Sequence, residues 1–211
     1  MGNELEMINE LYLDVFKELG NIGSSSAATA LAKIVEKRVT LSLPKVTILK
    51  FDEITQIIGG EETQVLGILQ PLRGDLTGNI MFLLGLRQAH DLAGLLLSKM
   101  LNMTKPSSDS GDFDDMELSA LREIGNILIN SYLSAITTMT NLKILPTVAD
   151  LAIDMAAAIL SVLTIEFGKV GDSVLYISNE FAQDNIKIGG DFFLVPDIAS
   201  YGVLMRALGV N

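Results

Sequence analysis

The sequence has no cysteine, no tryptophan and one histidine among its 211 residues. Without thiols there is no disulfide, no thiolate metal site and no cysteine nucleophile. With His90 as the sole histidine, a histidine-based zinc site or a Ser-His-Asp triad is nearly untenable. Aromatic residues make up only 6% of the chain, too few for a stacking platform for sugars or bases. Positive charge is also scarce. Fifteen Lys and Arg against 26 Asp and Glu give a net charge of −11, which argues against nucleic acid or an anionic bilayer as partner.

What is present is apolar: 49% of the residues are hydrophobic and 19% charged, enough to bury a full core. The longest uncharged run, Ile124 to Leu142, has bilayer-spanning length but carries three Asn, two Ser and three Thr. That polarity opposes insertion. The acidic start, Met1-Gly-Asn-Glu-Leu-Glu6, lacks a signal-peptide pattern, so the expectation is a cytoplasmic protein with no membrane segment.

The chain repeats itself. Glu18-Leu-Gly-Asn21 recurs as Glu123-Ile-Gly-Asn126, at an offset of 105. Val65-Leu-Gly-Ile68 and Asp75 recur as Val174-Leu-Tyr-Ile177 and Asp184, at 109. Gly78 to Leu84 recurs as Gly189 to Val195, at 111. We read two repeats, about 1–103 and 113–211, joined by an acidic, breaker-rich loop over 104–115.

In the first repeat, helical periodicity runs over 6–36 with no proline to stop it. Residues 39–50 are β-rich, and 51–58 form a short helix stopped by Gly59-Gly60. A hairpin follows over 64–72 and 76–84, then an amphipathic helix over 87–101. The second repeat reads as helix 115–141, strand 143–149, helix 150–167, strands 172–180 and 185–195, and helix 196–209. The expected fold is α+β: a pseudo-twofold, duplicated α-β-α-β-β-α unit in one domain. Its one sheet has about six strands, with long helices packed on it.

Each long helix carries a polar stripe. Asp14, Glu18, Asn21 and Ser25 lie at offsets 0, 4, 7 and 11, as do Ser119, Glu123, Asn126 and Asn130. At about 100° per residue these offsets span an arc of about 60°, a single stripe. The rest of each helix is mainly Ala, Leu, Ile and Gly, so the stripe meets water or a partner. Gly20, Gly23 and Gly125 each cost the helix about 1 kcal/mol, which points to a close approach on the buried side. Glu and Asn one turn apart can meet one ligand together. The carboxylate accepts from a cation, and the amide both donates and accepts, so it can orient a water.

Asp14-x3-Glu18-x2-Asn21, with 22 residues before Pro44, resembles the signature of the CheC/CheX/FliY family of chemotaxis phosphatases. The second copy, Ser119-x3-Glu123-x2-Asn126, matches too, with 19 residues before Pro146, which reads as a shortened turn. Two motifs in one chain resemble the CheC branch, and nothing like the extra flagellar-switch domain of FliY is recognised. The resemblance implies hydrolysis of the aspartyl phosphate on phosphorylated CheY, the alternative being a non-catalytic adaptor that binds CheD or a response regulator. Asn21 and Asn126 would position the attacking water. Glu18 and Glu123 would pair with the regulator's lysine, and Asp14 and Ser119 would support the contact. No cofactor of its own is implied, since Mg²⁺ belongs to the regulator.

Other features have plainer readings. Gly59-Gly60 and Gly189-Gly190 lack any phosphate-loop context and read as turn and strand-edge glycines. The nine Met read as core and His90 as helix surface. Leu151 to Leu163 reads as a very apolar helix with one acid, Asp154, about twice the length of its first-repeat counterpart. Buried core is the plain reading; the second is that this region resembles the family's docking surface for the deamidase CheD, with Asp154 as a partner contact.

Overall fold

A computed structural model of the chain describes residues 2–101, 110–167, 173–183 and 186–209. The first repeat folds as α1 (Gly2–Val35), β1 (Thr40–Leu41), β2 (Lys45–Lys50), α2 (Phe51–Ile57), β3 (Gln64–Gly74), β4 (Gly78–Gly85) and α3 (Leu86–Leu101). The second gives α4 (Asp115–Thr140), β5 (Ile144–Pro146), β6 (Asp150–Met155), α5 (Ala156–Phe167), β7 (Ser173–Gln183), β8 (Ile186–Pro196) and α6 (Ile198–Ala207).

The helices begin and stop for local reasons. Asp114 caps α4 in a reciprocal box with Glu117, each side chain accepting from the other's backbone N–H. Both long helices end on a left-handed residue, Glu36 with φ 52° and Asn141 with φ 56°, which lie 105 residues apart. At α6 the cap is Asp197. Burial pushes its carboxyl up, but hydrogen bonds from Thr77, Ser200 and the Ala199 N–H outweigh that and hold it below the usual carboxylate range.

Eight strands form one sheet of six positions. The order is β1-β7-β8-β4-β3-β5, with β2 beside β1 on β7 and β6 beside β5 on β3. All the pairings are antiparallel. Each repeat's leading strands therefore pair with the other repeat's hairpin, and β4 and β8 meet at the centre. The registers correspond: Val46 faces Ile177, and Leu151 faces Ile68. Likewise Leu41 faces Phe181, and Pro146 faces Leu72.

Side chains alternate along the strands between two cores. Leu66, Ile68, Phe82, Ile177 and Phe192 pack under α1, α3, α4 and α6. Val65, Met81, Leu83, Tyr176 and Phe193 pack under α2 and α5. The α+β architecture with about six strand positions is as expected, with the long helices on one face.

Several expectations need correction. The registers make Phe82 the counterpart of Phe192, so β4 and β8 correspond at an offset of 110 rather than 111. Residues 150–155 are a strand, so Asp154 lies on β6 opposite Val65 and the helix begins at Ala156. The apolar run Leu151 to Leu163 hid this boundary, because a short alternating stretch beside an apolar helix has no single period. Pro146 is not the counterpart of Pro44. Through the register it corresponds to Leu41, and the position equivalent to Pro44 is Ala149, so no turn is shortened. His90 is buried, stacked on Phe113, with its ring nitrogens 3.1 Å from the Glu117 carboxylate and 3.1 Å from the Ser110 carbonyl. It joins α3 to the capped start of α4. The connector over 104–109 and Asp184 lie outside the described residues.

Candidate functional site

Glu18, Asn21 and Ser25 are exposed along α1, as are Ser119, Glu123 and Asn130 along α4, with Asn126 half-buried among them. The glycines account for the position of both helices. A Cβ on Gly20 would come within 2.6 Å of Val46, and one on Gly125 within 2.3 Å of Ile68. A Cβ on Gly23 would come within 2.4 Å of the Tyr132 ring, where the two helices meet. Both stripes are thus carried on helix backbones pressed against the sheet or against each other. Beneath them the Ser24 hydroxyl and the Tyr132 hydroxyl, themselves 2.6 Å apart, share the Asn179 side-chain oxygen. Burial pushes the Tyr132 hydroxyl far above its ordinary range, so this polar knot stays neutral.

The predicted residues have different surroundings. Asp14 pairs with Lys17 at 3.0 Å, both exposed. Among the described residues no cation pairs with Glu18 or Glu123, and the Asn21 amide has no hydrogen-bond partner. The Asn130 amide is occupied, donating to the Asn126 carbonyl at 2.7 Å. On α4 the stripe borders a cavity of about 450 Å³ whose wall includes Ser119, Glu123 and Asn126. Leu96, Leu97 and Met116 supply its apolar side, and Met116 is 46% exposed rather than in the core.

Residue type and spacing did not disclose Gln70. It is buried on β3, where its amide donates to the Thr147 carbonyl at 2.7 Å and approaches the Asn126 side-chain oxygen at 3.5 Å. Its equivalent in the other repeat, Asn179, serves the buried knot instead, so the two Asn sites are backed differently. No signal short of the strand register links residue 70 to residue 126.

The remaining candidates lie elsewhere. Asp154 is exposed on β6, its carboxylate accepting from the Met155 N–H at 2.7 Å. Gly59 and Gly60 have φ of 103° and 112°, as a turn requires, whereas a Cβ on Gly190 would come within 2.3 Å of Phe82. On the α2/α5 face the Tyr176 hydroxyl donates to Asp191 at 2.9 Å, and burial pushes both groups upward. Among the described residues no group of three acidic or His side chains could hold a metal ion, and no helix is long and apolar enough to cross a membrane.

A family model described as CheC-like matches residues 11–48 and 116–148, the two stripes with the chain that follows each. The chain is 32% identical to the CheY-P phosphatase CheC of Bacillus subtilis (strain 168), over 97% of both chains. In fold it is similar to FliY of Thermotoga maritima, with a TM-score of 0.69 at 18% identity over 92% of this chain and 96% of that one. It also resembles a chain of the FliM–SpeE complex from H. pylori, with a TM-score of 0.70 at 14% identity over 93% and 94%. With near-complete coverage of its curated relative and both matched segments containing a Glu–Asn stripe, this chain belongs to the CheC-like family.

Proposed function

We propose that the chain is a phosphatase acting on the aspartyl phosphate of phosphorylated CheY, with one site on α1 and one on α4. The observation that carries this reading is the repeated Glu–Asn pair on two helices packed closely at glycines, with no cation paired to either carboxylate among the described residues. The name of the Bacillus subtilis relative supports the substrate. Glu18 and Glu123 pair with the regulator's active-site lysine and seat the helix. Asn21 and Asn126 then hold a water in line with the phosphorus. Its oxygen attacks, the bond to the aspartyl oxygen breaks, and inorganic phosphate leaves with the carboxylate restored. Mg²⁺ and the acceptor geometry belong to the regulator, so this chain contributes positioning, which is most of what phosphoryl transfer asks of a protein. Asp14 and Ser119 support the edges of the contact. A second partner, CheD, docks at the exposed edge of β6, with Asp154 as the orienting contact.

The test is phosphate release from phosphorylated regulator. Asn21→Ala and Asn126→Ala should each disable one site, and the double variant should fall by roughly 100-fold, the scale of lost positioning. A double variant with unaltered release would refute the assignment. Complete loss in one single variant would leave the chemistry in place and remove the second site.

A further inference from the structure

Leu43 and Val148 are 87% and 84% exposed, the most exposed of the large hydrophobic residues described. Single exposed aliphatics need no explanation. These two are 105 residues apart and occupy the same place in the two repeats: Leu43 in the three-residue gap between β1 and β2, Val148 in that between β5 and β6. Both gaps are pinned alike, Ser42 N–H donating to the Glu180 carbonyl at 3.0 Å and Thr147 N–H to the Pro71 carbonyl at 2.9 Å. The side chains therefore project from fixed backbone.

Each gap adjoins one Asn. The Pro44 ring, next to Leu43, lies 3.7 Å from the point where a Cβ on Gly20 would sit, and Gly20 precedes Asn21. Thr147, next to Val148, is joined through Gln70 to Asn126. Neither side chain belongs to a core cluster, so the fold does not require them to be apolar. Nor does duplication alone preserve them. Other exposed equivalents have drifted freely, Ser25 to Asn130 and Lys45 to Asp150, the last reversing charge. Leu43 and Val148 changed identity and stayed aliphatic.

We infer that Leu43 and Val148 are matched docking contacts, each seated on an apolar spot of the phosphorylated receiver domain beside the phosphoaspartate that the neighbouring Asn addresses. This rests on the phosphatase reading and extends its interface from a polar stripe to a polar stripe with an aliphatic anchor. The occupant follows from continuity, because each gap adjoins the Asn that the phosphoaspartate of the receiver would reach.

The test uses the full chain carrying Leu43→Ser and Val148→Ser, with phosphate release measured alongside titration against beryllofluoride-activated regulator. Losing a buried aliphatic contact should raise both KM and Kd by about tenfold. The rate at saturating regulator, the melting temperature and the mass of the free protein should not change. Leu43→Met with Val148→Ile should restore affinity. Ile57→Ser, exposed on the α2/α5 face, should change nothing. Unaltered KM and Kd in the Ser variant of an active protein overturn the docking role alone. A fall in the mass of the free protein overturns it too, since the patch would then cover a second copy of this chain. Wild type that binds without hydrolysing overturns the phosphatase reading and leaves docking to be judged by Kd. Wild type that does neither overturns both.

Discussion

Glu18 and Glu123 are exposed carboxylates with no cation paired to them among the described residues, next to amides that would position water. Their contribution then lies in association, because a carboxylate paired with lysine at a contact that loses water is worth more than its free form, and truncation strands the partner charge. Glu18→Ala with Glu123→Ala should weaken regulator binding by at least about tenfold, with much less effect on the rate at saturation. Unaltered affinity by titration would remove the anchoring role. At this scale residue type and spacing placed each pair on one helix stripe, since both are properties of a helix that the sequence alone defines. Gln70, Leu43 and Val148 were not legible, because their meaning comes from strand register and exposure. His90 misled for the same reason: its partners, Glu117 and Ser110, are distant in sequence.

Elements were legible where one period dominates. Both long helices and both hairpins follow the sequence reading to within a few residues, because uninterrupted helical periodicity and strand-like runs leave little choice. The region 150–155 was not legible. Its strand exists because β3 offers an unpaired edge, which is a tertiary fact. The correction changes the setting of Asp154 from a helix face to an exposed strand edge, with Met155 beside it 49% exposed. Docking there would use the edge of β6 and the start of α5, remote in the fold from the Asn stripes on the opposite face of the sheet. Asp154→Lys should abolish co-elution with CheD while phosphate release by the chain alone is unaltered. An exposed charge reversal of this kind should change stability by less than about 0.5 kcal/mol. Retained co-elution rejects the contact, and a large drop in melting temperature would make Asp154 a structural residue instead.

The whole molecule is held together by exchange between the repeats. β2 completes the hairpin β7–β8, β6 completes β3–β4, and the two hairpins join through β4 and β8, with Phe82 stacked on Phe192 at 4.4 Å. Tyr132 of α4 closes against Gly23 of α1 across the same interface. A chain cut to residues 1–103 would keep β3–β4 and lose the partners of β2, the central neighbour of β4 and the cover of α1. Its exposed strand edges and apolar helix faces cannot be satisfied alone. The matching registers offer one remedy. With Val46 opposite Ile177 and Leu151 opposite Ile68, two copies of the first repeat could place Val46 of one opposite Ile68 of the other. The half-chain should therefore have no folded monomer, and any species with a cooperative melt should have the mass of a dimer. Circular dichroism and light scattering across a dilution series measure this. A monomer that melts cooperatively would show that each repeat closes its own core and that the strand exchange is not what holds the fold.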